Sequence, residues 1–550
     1  MGKGQSPQSN LIGVSVSDSL LILFQAFITN IAAIVYFMIA ARILSVENVG
    51  ILLFSSVLIN LIVTLFSFSF NYTSSRFFAL FSFTKNDAKL YSLTKIVLFV
   101  NIIAILAGTP LGLLISYIFF LNSIPNIAFL LSLMVSVDGV INSIIYNFYG
   151  LLVGQSNIQK AVVGYTMANV LRYVLSVYVI LAYGNIVQVL FSWIIGDAIG
   201  SLYLFISLRK FIINSSRISL NDLKSMFRYT LPIYISSILT YLYLYIDRFQ
   251  AFLLSNIQSF AIYGAALTAS MIFINISQMI SNVLLPNFVN AFKKGSEDFK
   301  ELISGITKFL DVSLLPLIII ASMISQPIIS LFAGQNFSSG WITFFIVSLT
   351  FSFTLPISIL YTFYLTIGKT KILMVSTITS IIISLIVTLV LHNYLGTFGI
   401  SIGRSTLFIL NFILLSYLTA KKERLDYGIS THLKVVMVSL AFFSPLSIFS
   451  FFNFSISYYF LLPLCFFYLL LYIALLTRLR FLDNNELKFI TSSLPIFIQI
   501  IIHKAYYVTQ LNTKKLKNNI KIPLPATVTY SGFKIYSAFY NPDLIRIRSQ

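Results

Sequence analysis

Seven ionisable residues stand where the surrounding sequence is apolar. Arg172, Arg248 and Arg404 lie within long hydrophobic windows, Arg42 lies at the edge of one, and Asp138, Asp197 and Asp247 lie within others. A guanidinium stays charged and presents a planar fork of donors that fits a carboxylate or a phosphate with two parallel hydrogen bonds. A carboxylate deep in an apolar region can take up a cation or a proton in one state and release it in another. The chemistry open to this set is therefore anion recognition by the arginines and cation or proton exchange by the aspartates. Plainer roles stay open beside it. Arg172 can be satisfied by an ion pair with Asp138 or Asp197, Asp247 can balance its neighbour Arg248, and Arg42 and Arg248 can reach outward to lipid headgroups.

The elements that must position these residues follow from composition. Of 550 residues, 58% are apolar and 9% charged, whereas a soluble domain carries roughly a quarter charged residues. A spanning helix needs about 20 apolar residues. Windows of that kind lie at 19–41, 50–70, 96–120, 127–150, 161–182, 186–208, 231–253, 262–285, 309–332, 342–365, 372–392, 398–419, 434–452 and 456–477. The expected fold is an all-α polytopic membrane protein of about fourteen transmembrane helices. The first window is too long for a signal-peptide core and reads as a retained helix. Single Cys465 excludes an internal disulfide.

The net charge of +20 would suit nucleic acid, but its distribution excludes that reading. Counting alternate loops from an inside N-terminus puts 32 of the 36 Lys and Arg on one side, and the remaining four are the stranded arginines. The opposite connections at 121–126, 183–185, 254–261, 333–341, 393–397 and 453–455 hold none. Such asymmetry follows the positive-inside rule and predicts a multi-pass protein of the cytoplasmic membrane with both termini cytoplasmic. At 1.5 Å per residue, Arg172 falls near mid-membrane, Arg248 and Arg404 in the outer half, and Arg42 at the outer rim.

Landmarks recur at a nearly constant offset: Gly50 with Gly264, Lys95 with Lys308, Gly154 with Gly368, Gly184 with Gly396, Lys210 with Lys422. This predicts two parallel six-helix lobes, an arrangement suited to alternating access, followed by two peripheral helices. The expected organisation is a cytoplasmic N-terminus at 1–18, an N-lobe at 19–208, a linker at 209–230 and a C-lobe at 231–419. A linker and two helices follow at 420–477, then a basic cytoplasmic tail at 478–550.

Helical spacing gathers polar residues into stripes. Ser56, Asn60, Thr64, Ser67 and Asn71 share one face of the second window. Tyr234, Ser237, Tyr241, Tyr245 and Arg248 share one on the seventh, and Thr268, Asn275 and Gln278 one on the eighth. Such stripes serve as hydrogen-bonding glue between helices or as the wall of a hydrated cavity. The tyrosines offer ring faces, and Asn60, Asn275 and Gln278 offer amide partners. Asp138, Asp197 and Asp247 are the candidates for ion coupling. No Gly-x-x-x-x-Gly-Lys-Ser/Thr run is present, so a drive by nucleotide through that loop is not expected. His392 and His432 show no metal partners by spacing.

Four segments carry a family resemblance. Ala-Arg-Ile-Leu-Ser-Val-Glu-Asn-Val-Gly (41–50), Tyr-Thr-Leu-Pro-Ile-Tyr-Ile-Ser (229–236), Asp-Arg-Phe (247–249) and Ala-Ile-Tyr-Gly-Ala-Ala (261–266) are one set. Together they resemble the polysaccharide-transporter branch, the O-antigen-type or Wzx-like flippases, of the multidrug/oligosaccharidyl-lipid/polysaccharide exporter superfamily. The matching positions are Arg42, Gly50, Arg76, Asp247, Arg248 and Gly264. The resemblance implies an alternating-access flippase, not an enzyme, that moves a polyprenyl- or dolichyl-(pyro)phosphate-linked oligosaccharide from the cytoplasmic to the outer leaflet. It adds Arg76 to Arg42, Arg172, Arg248, Arg404, Tyr241, Tyr245, Asn60, Asn275 and Gln278 as the expected substrate contacts. No cofactor is expected beyond a coupling Na+ or H+. The expected partners are the lipid-linked oligosaccharide, membrane lipids and other glycan-assembly proteins, with the chain acting as a monomer. The alternatives are a cation-coupled multidrug exporter of the same superfamily and a membrane glycosyltransferase or polysaccharide polymerase.

Overall fold

The computed structural model describes residues 7–83, 87–213, 220–423, 425, 427–451 and 458–478. The tail from 479 on, residues 1–6 and positions 214–219 of the expected linker lie outside the described residues. Every regular element among the described residues is helical. The first half runs through α1 (Pro7–Ile43), α2 (Val46–Phe66), α3 (Phe70–Phe83), α4 (Asp87–Ile103), α5 (Thr109–Ser123), α6 (Ala128–Gly154), α7 (Ile158–Ala182) and α8 (Ile186–Ile213). It continues through α9 (Leu220–Leu254), α10 (Ile257–Lys294), α11 (Ser296–Ser313), α12 (Leu315–Met323), α13 (Ser325–Ala333), α14 (Trp341–Phe351) and α15 (Thr354–Thr366). The last elements are α16 (Thr370–Leu395), α17 (Thr397–Leu418), α18 (Ile429–Phe443), α19 (Ile448–Phe451) and α20 (Tyr458–Arg478).

Among the described residues twelve spans are long and apolar enough to cross a membrane, and α14 with α15 makes a thirteenth if the pair, bent by 40°, is counted as one. The fourteenth predicted window meets α20, whose apolar stretch Tyr459–Ile473 is shorter than a full span. Residues 1–469 form one compact unit, and the second unit, from Leu470, is described only as the end of α20. Long apolar windows form helices because the hydrocarbon core offers no water to backbone amides, so each N–H must be satisfied within its own segment.

The ends of these helices are set locally. The Ser45 hydroxyl accepts from the Asn48 N–H at 3.3 Å and starts α2, and the Asn256 side chain accepts from the Ser259 N–H at 2.8 Å and starts α10. The second window departs from expectation. It does not run to residue 70 as one helix, because Phe68 and Ser69 adopt left-handed backbone with φ of 50° and 54°. The Phe68 ring, held edge-on by Phe66 and tilted against Tyr234, occupies the break. Asn71 therefore leaves the face of Ser56, Asn60 and Thr64 and begins α3, whose backbone lies directly on Gly150 of α6. The ninth window, expected as one helix over 309–332, is interrupted at Leu314 and Ile324.

Helices α1 to α8 pack mainly on one another, through α7 with α8, α5 with α6, α6 with α8 and α1 with α7. Helices α10 to α17 do likewise through α16 with α17, α10 with α15 and α14 with α17, with α18 on α11 and α12. The two groups meet where α2 packs on α10 and α9, and where α3 packs on α9. Gly50 and Gly264 lie on opposite sides of the first of these contacts. A Cβ at Gly50 would press on the Ile257 carbonyl at 2.9 Å, and one at Gly264 on Leu53 at 3.0 Å.

One further close approach decides where charge can meet. A Cβ at Gly196 of α8 would run into the backbone N of Arg172 on α7, so only glycine lets the two helices come near enough for Asp197 to reach that arginine. Gly196→Val is expected to part α7 from α8 and to cost roughly 1–3 kcal/mol from overpacking. Thermal unfolding of purified protein in detergent checks this, and an unchanged midpoint would mean the helices can shift without loss.

Candidate functional site

A cavity of about 240 Å³ lies between the two groups of helices. Its wall on α2 is Leu53, Ser56, Val57 and Asn60, and on α10 Phe260, Gly264, Thr268 and Met271. These are steps of three and four, one face of each helix. Ala33, Tyr36 and Phe37 come from α1, Arg172 and Tyr173 from α7, Trp193 from α8, and Tyr245 and Arg248 from α9. Both halves of the chain therefore build the site.

The cavity is sealed toward the end that carries the charge-poor connections. There the Phe54 ring stacks on Phe252, centroids 3.5 Å apart, and meets Phe119, Phe120, Phe249 and Phe260 edge-on at 5.5–5.9 Å. Glu47 and Gln258 close the rim with a 2.9 Å hydrogen bond. Toward the basic end one side is seamed by side chains of α9 on α2 and α3. Tyr241 donates to the Val57 carbonyl at 2.7 Å, Tyr234 donates to the Leu65 carbonyl at 3.0 Å, and Thr73 meets Thr230 at 2.7 Å. Asn275 and Gln278, one and two turns beyond Met271 on α10, stay exposed.

Three sets of charges surround the cavity. Arg172 bridges two helices: its Nη2 lies 3.0 Å from Asp138 Oδ2 on α6 and its Nη1 donates to Asp197 Oδ2 on α8 at 2.7 Å. Asn142 also donates to that Asp197 oxygen at 2.6 Å, and the Arg172 guanidinium lies 4.2 Å from the Trp193 ring. Two carboxylates share one guanidinium here, so the cluster would carry one negative charge in excess with both of them ionised.

Asp247 and Arg404 form the second set. Arg404 Nη1 lies 3.0 Å from Asp247 Oδ1 and donates to the Tyr243 carbonyl at 2.7 Å, and Tyr263 donates to Asp247 Oδ2 at 2.8 Å. Both charged side chains are sealed from the cavity. Asp247 thus balances Arg404 on α17 rather than its sequence neighbour.

Arg248 is the third. Its guanidinium lies 4.7 Å from the Tyr245 ring and lines the cavity, and no carboxylate pairs with it among the described residues. Within an apolar span a lone guanidinium is costly, so this placement needs a purpose that packing does not supply.

Of the sequence-predicted residues, the structure brings Arg172, Arg248, Tyr245 and Asn60 to the cavity, with Asp138 and Asp197 directly behind Arg172. Tyr241 stands behind Tyr245, stacked at 4.9 Å, with its hydroxyl used on Val57. Arg42 is elsewhere: it donates to the carbonyls of Met38 and Leu331 and caps the end of α13. Its charge meets the carbonyl end of a helix, where a cation is favourable. Arg76 is exposed on α3, 4.1 Å from the Tyr229 ring. Arg404 and Asp247 form a buried pair behind the wall. Asn275 and Gln278 continue the α10 face outside the cavity.

Sequence reasoning missed a second buried pair. Asp311 shares a 2.7 Å hydrogen bond with His432 Nδ1, and both side chains are buried. The pair fastens α18 to α11, flanked by the Phe353 and Phe412 rings. The signal was one acid, Asp311, inside an apolar window, with nothing to match a partner 121 positions away. No group of three or more His, Cys, Asp or Glu that could hold a metal ion occurs among the described residues.

Solved structures share this fold. The lipid II flippase MurJ in an inward closed conformation matches at 15% identity with a TM-score of 0.63, covering 90% of this chain and 99% of its own. An inward-facing multidrug resistance MATE family transporter of the MOP superfamily matches at 14% identity and a TM-score of 0.60, covering 75% and 96%. At these identities the likeness is one of fold. Comparison with curated proteins finds no match. Residues 15–292, just over half of the chain and inclusive of all four motif segments, match the sequence model described as polysaccharide biosynthesis protein. With that match the chain belongs to the polysaccharide biosynthesis protein family, and it shares the multi-pass helical fold of these solved transporters.

Proposed function

We propose that the protein is an alternating-access flippase that moves a polyprenyl- or dolichyl-(pyro)phosphate-linked oligosaccharide from the cytoplasmic to the outer leaflet. The observation that carries this reading is Arg248, a guanidinium without a carboxylate partner among the described residues, facing a cavity walled by aromatic rings and an amide. Phosphate oxygens match the fork of arginine, and sugar rings suit the faces of Tyr36, Tyr173, Trp193 and Tyr245 with Asn60 as a polar partner. At about 240 Å³ the cavity is smaller than the roughly 300–1,000 Å³ of ligand pockets. It holds the phosphate and an adjoining ring, and the rest of the glycan extends past Asn275 and Gln278 until the halves separate.

By the positive-inside rule the basic loops favour a cytoplasmic position for the end opposite the Phe54 cluster, and that cluster then closes the outer end. The two carboxylates that share Arg172 are where a proton or Na+ couples to the cycle. Uptake neutralises Asp138 or Asp197 and frees Arg172 to turn toward the phosphate, so both halves can rearrange around one ligand. A cation exporter would also use those aspartates, but a free arginine at the cavity wall repels its cargo.

Depleting the protein should leave intact lipid-linked oligosaccharide confined to the cytoplasmic leaflet, read by accessibility to an impermeant sugar-binding lectin. An unchanged leaflet distribution with loss of resistance to cationic drugs would assign the protein to the exporters instead. Loss of glycan assembly itself would favour an enzyme.

A further inference from the structure

We infer that Arg404 is a positioning residue for the cavity: by holding Asp247 it leaves Arg248 as an uncompensated cation at the wall. The anion that Arg248 meets rests on the flippase reading, whereas the charge arrangement does not. Successive residues of a helix point about 100° apart, so Asp247 and Arg248 divide between two faces of α9. Asp247 turns toward Tyr263 on α10 and Arg404 on α17, and Arg248 turns to the cavity beside Tyr245.

An Asp-Arg step in an apolar medium would ordinarily neutralise itself, because each charge needs a partner and the nearest is next door. Here the carboxylate is taken elsewhere. Arg404 is fully buried, and its Nη1 serves both Asp247 and the Tyr243 carbonyl, one turn of α9 earlier. Its guanidinium lies 4.8 Å from the Phe408 ring, while its Nε and Nη2 make no hydrogen bond among the described residues. A pair meant only to hold α9 on α17 could be replaced by apolar side chains with little loss. What an arginine alone supplies is a fixed positive charge on the far side of Asp247. Without it a bare carboxylate would lie beside Arg248, drawing that guanidinium from the cavity or cancelling its field there.

The test compares the full-length protein with Arg404→Met and with Asp247→Asn/Arg404→Met, all purified in detergent. Phenylglyoxal reacts with free guanidinium groups, and its rate at Arg248 is read by mass spectrometry of the digested protein. Arg404→Met is expected to slow modification of Arg248 by about tenfold through the new pairing, and the double variant to return it to the original rate. Binding of farnesyl diphosphate, a soluble prenyl diphosphate probe, is expected to fall and recover in the same order. An unchanged rate in Arg404→Met overturns the inference. So does a double variant as slow as the single one, since the Asp247 carboxylate would then not be what slows the reaction. If the modification rates follow the expected order while the unaltered protein fails to bind the probe, the charge arrangement stands and the phosphate reading fails.

Discussion

Replacing Arg172 with alanine is expected to abolish transport and to destabilise the helix bundle by about 3–5 kcal/mol, the cost of removing one partner from buried ion pairs. Its two terminal nitrogens reach different helices, α6 through Asp138 and α8 through Asp197. Without them two carboxylates are left in an apolar setting, with Asn142 the one remaining side-chain donor among the described residues. Arg172→Lys should rescue poorly, because a single ammonium is not the fork that spans both oxygens. Arg172→Met combined with Asp138→Asn and Asp197→Asn should recover most of the stability while transport stays lost. Melting temperature and transport rate together distinguish these outcomes, and an alanine variant that melts normally and transports normally would remove the cluster from the mechanism.

Arg248 should behave in the opposite way. It has no ion pair to break among the described residues, so Arg248→Met is expected to leave the melting temperature near its original value. Transport should fall by about 30-fold or more, since truncating one partner of a desolvated charge pair with a ligand costs roughly 2–5 kcal/mol. The separation of stability from transport is the point of the comparison. A large loss of stability with Arg248→Met would mean that the residue serves the fold.

The sequence revealed most where apolar patterning and charge reinforce each other. Windows of apolar residues located the spans because the membrane allows few alternatives to helices. Depth counting isolated Arg172 and the aspartates at its level, and both proposed partners, Asp138 and Asp197, are in contact with it. Gly50 and Gly264, marked by their offset, meet the same α2–α10 contact. What stayed hidden depends on tertiary neighbours. The break at Phe68 and Ser69 arises from residues with no turn signature and moved Asn71 to another helix. The Asp247–Arg404 and Asp311–His432 pairs join positions far apart in the chain, and no periodicity selects a partner. Arg42 looked like a ligand residue by depth and motif alike, yet the carbonyl end of α13 takes its charge.

The most direct measurement of the central claim is translocation in proteoliposomes. Purified protein is reconstituted with a fluorescent polyprenyl-diphosphate oligosaccharide in both leaflets, and an impermeant reductant quenches the outward-facing label. Liposomes without protein lose about half of the signal. With the protein, loss is predicted to proceed toward completion, and Arg248→Met is predicted to hold it near the half-way plateau. Quenching that stops at that plateau with the unaltered protein, under imposed proton and sodium gradients alike, would contradict the account.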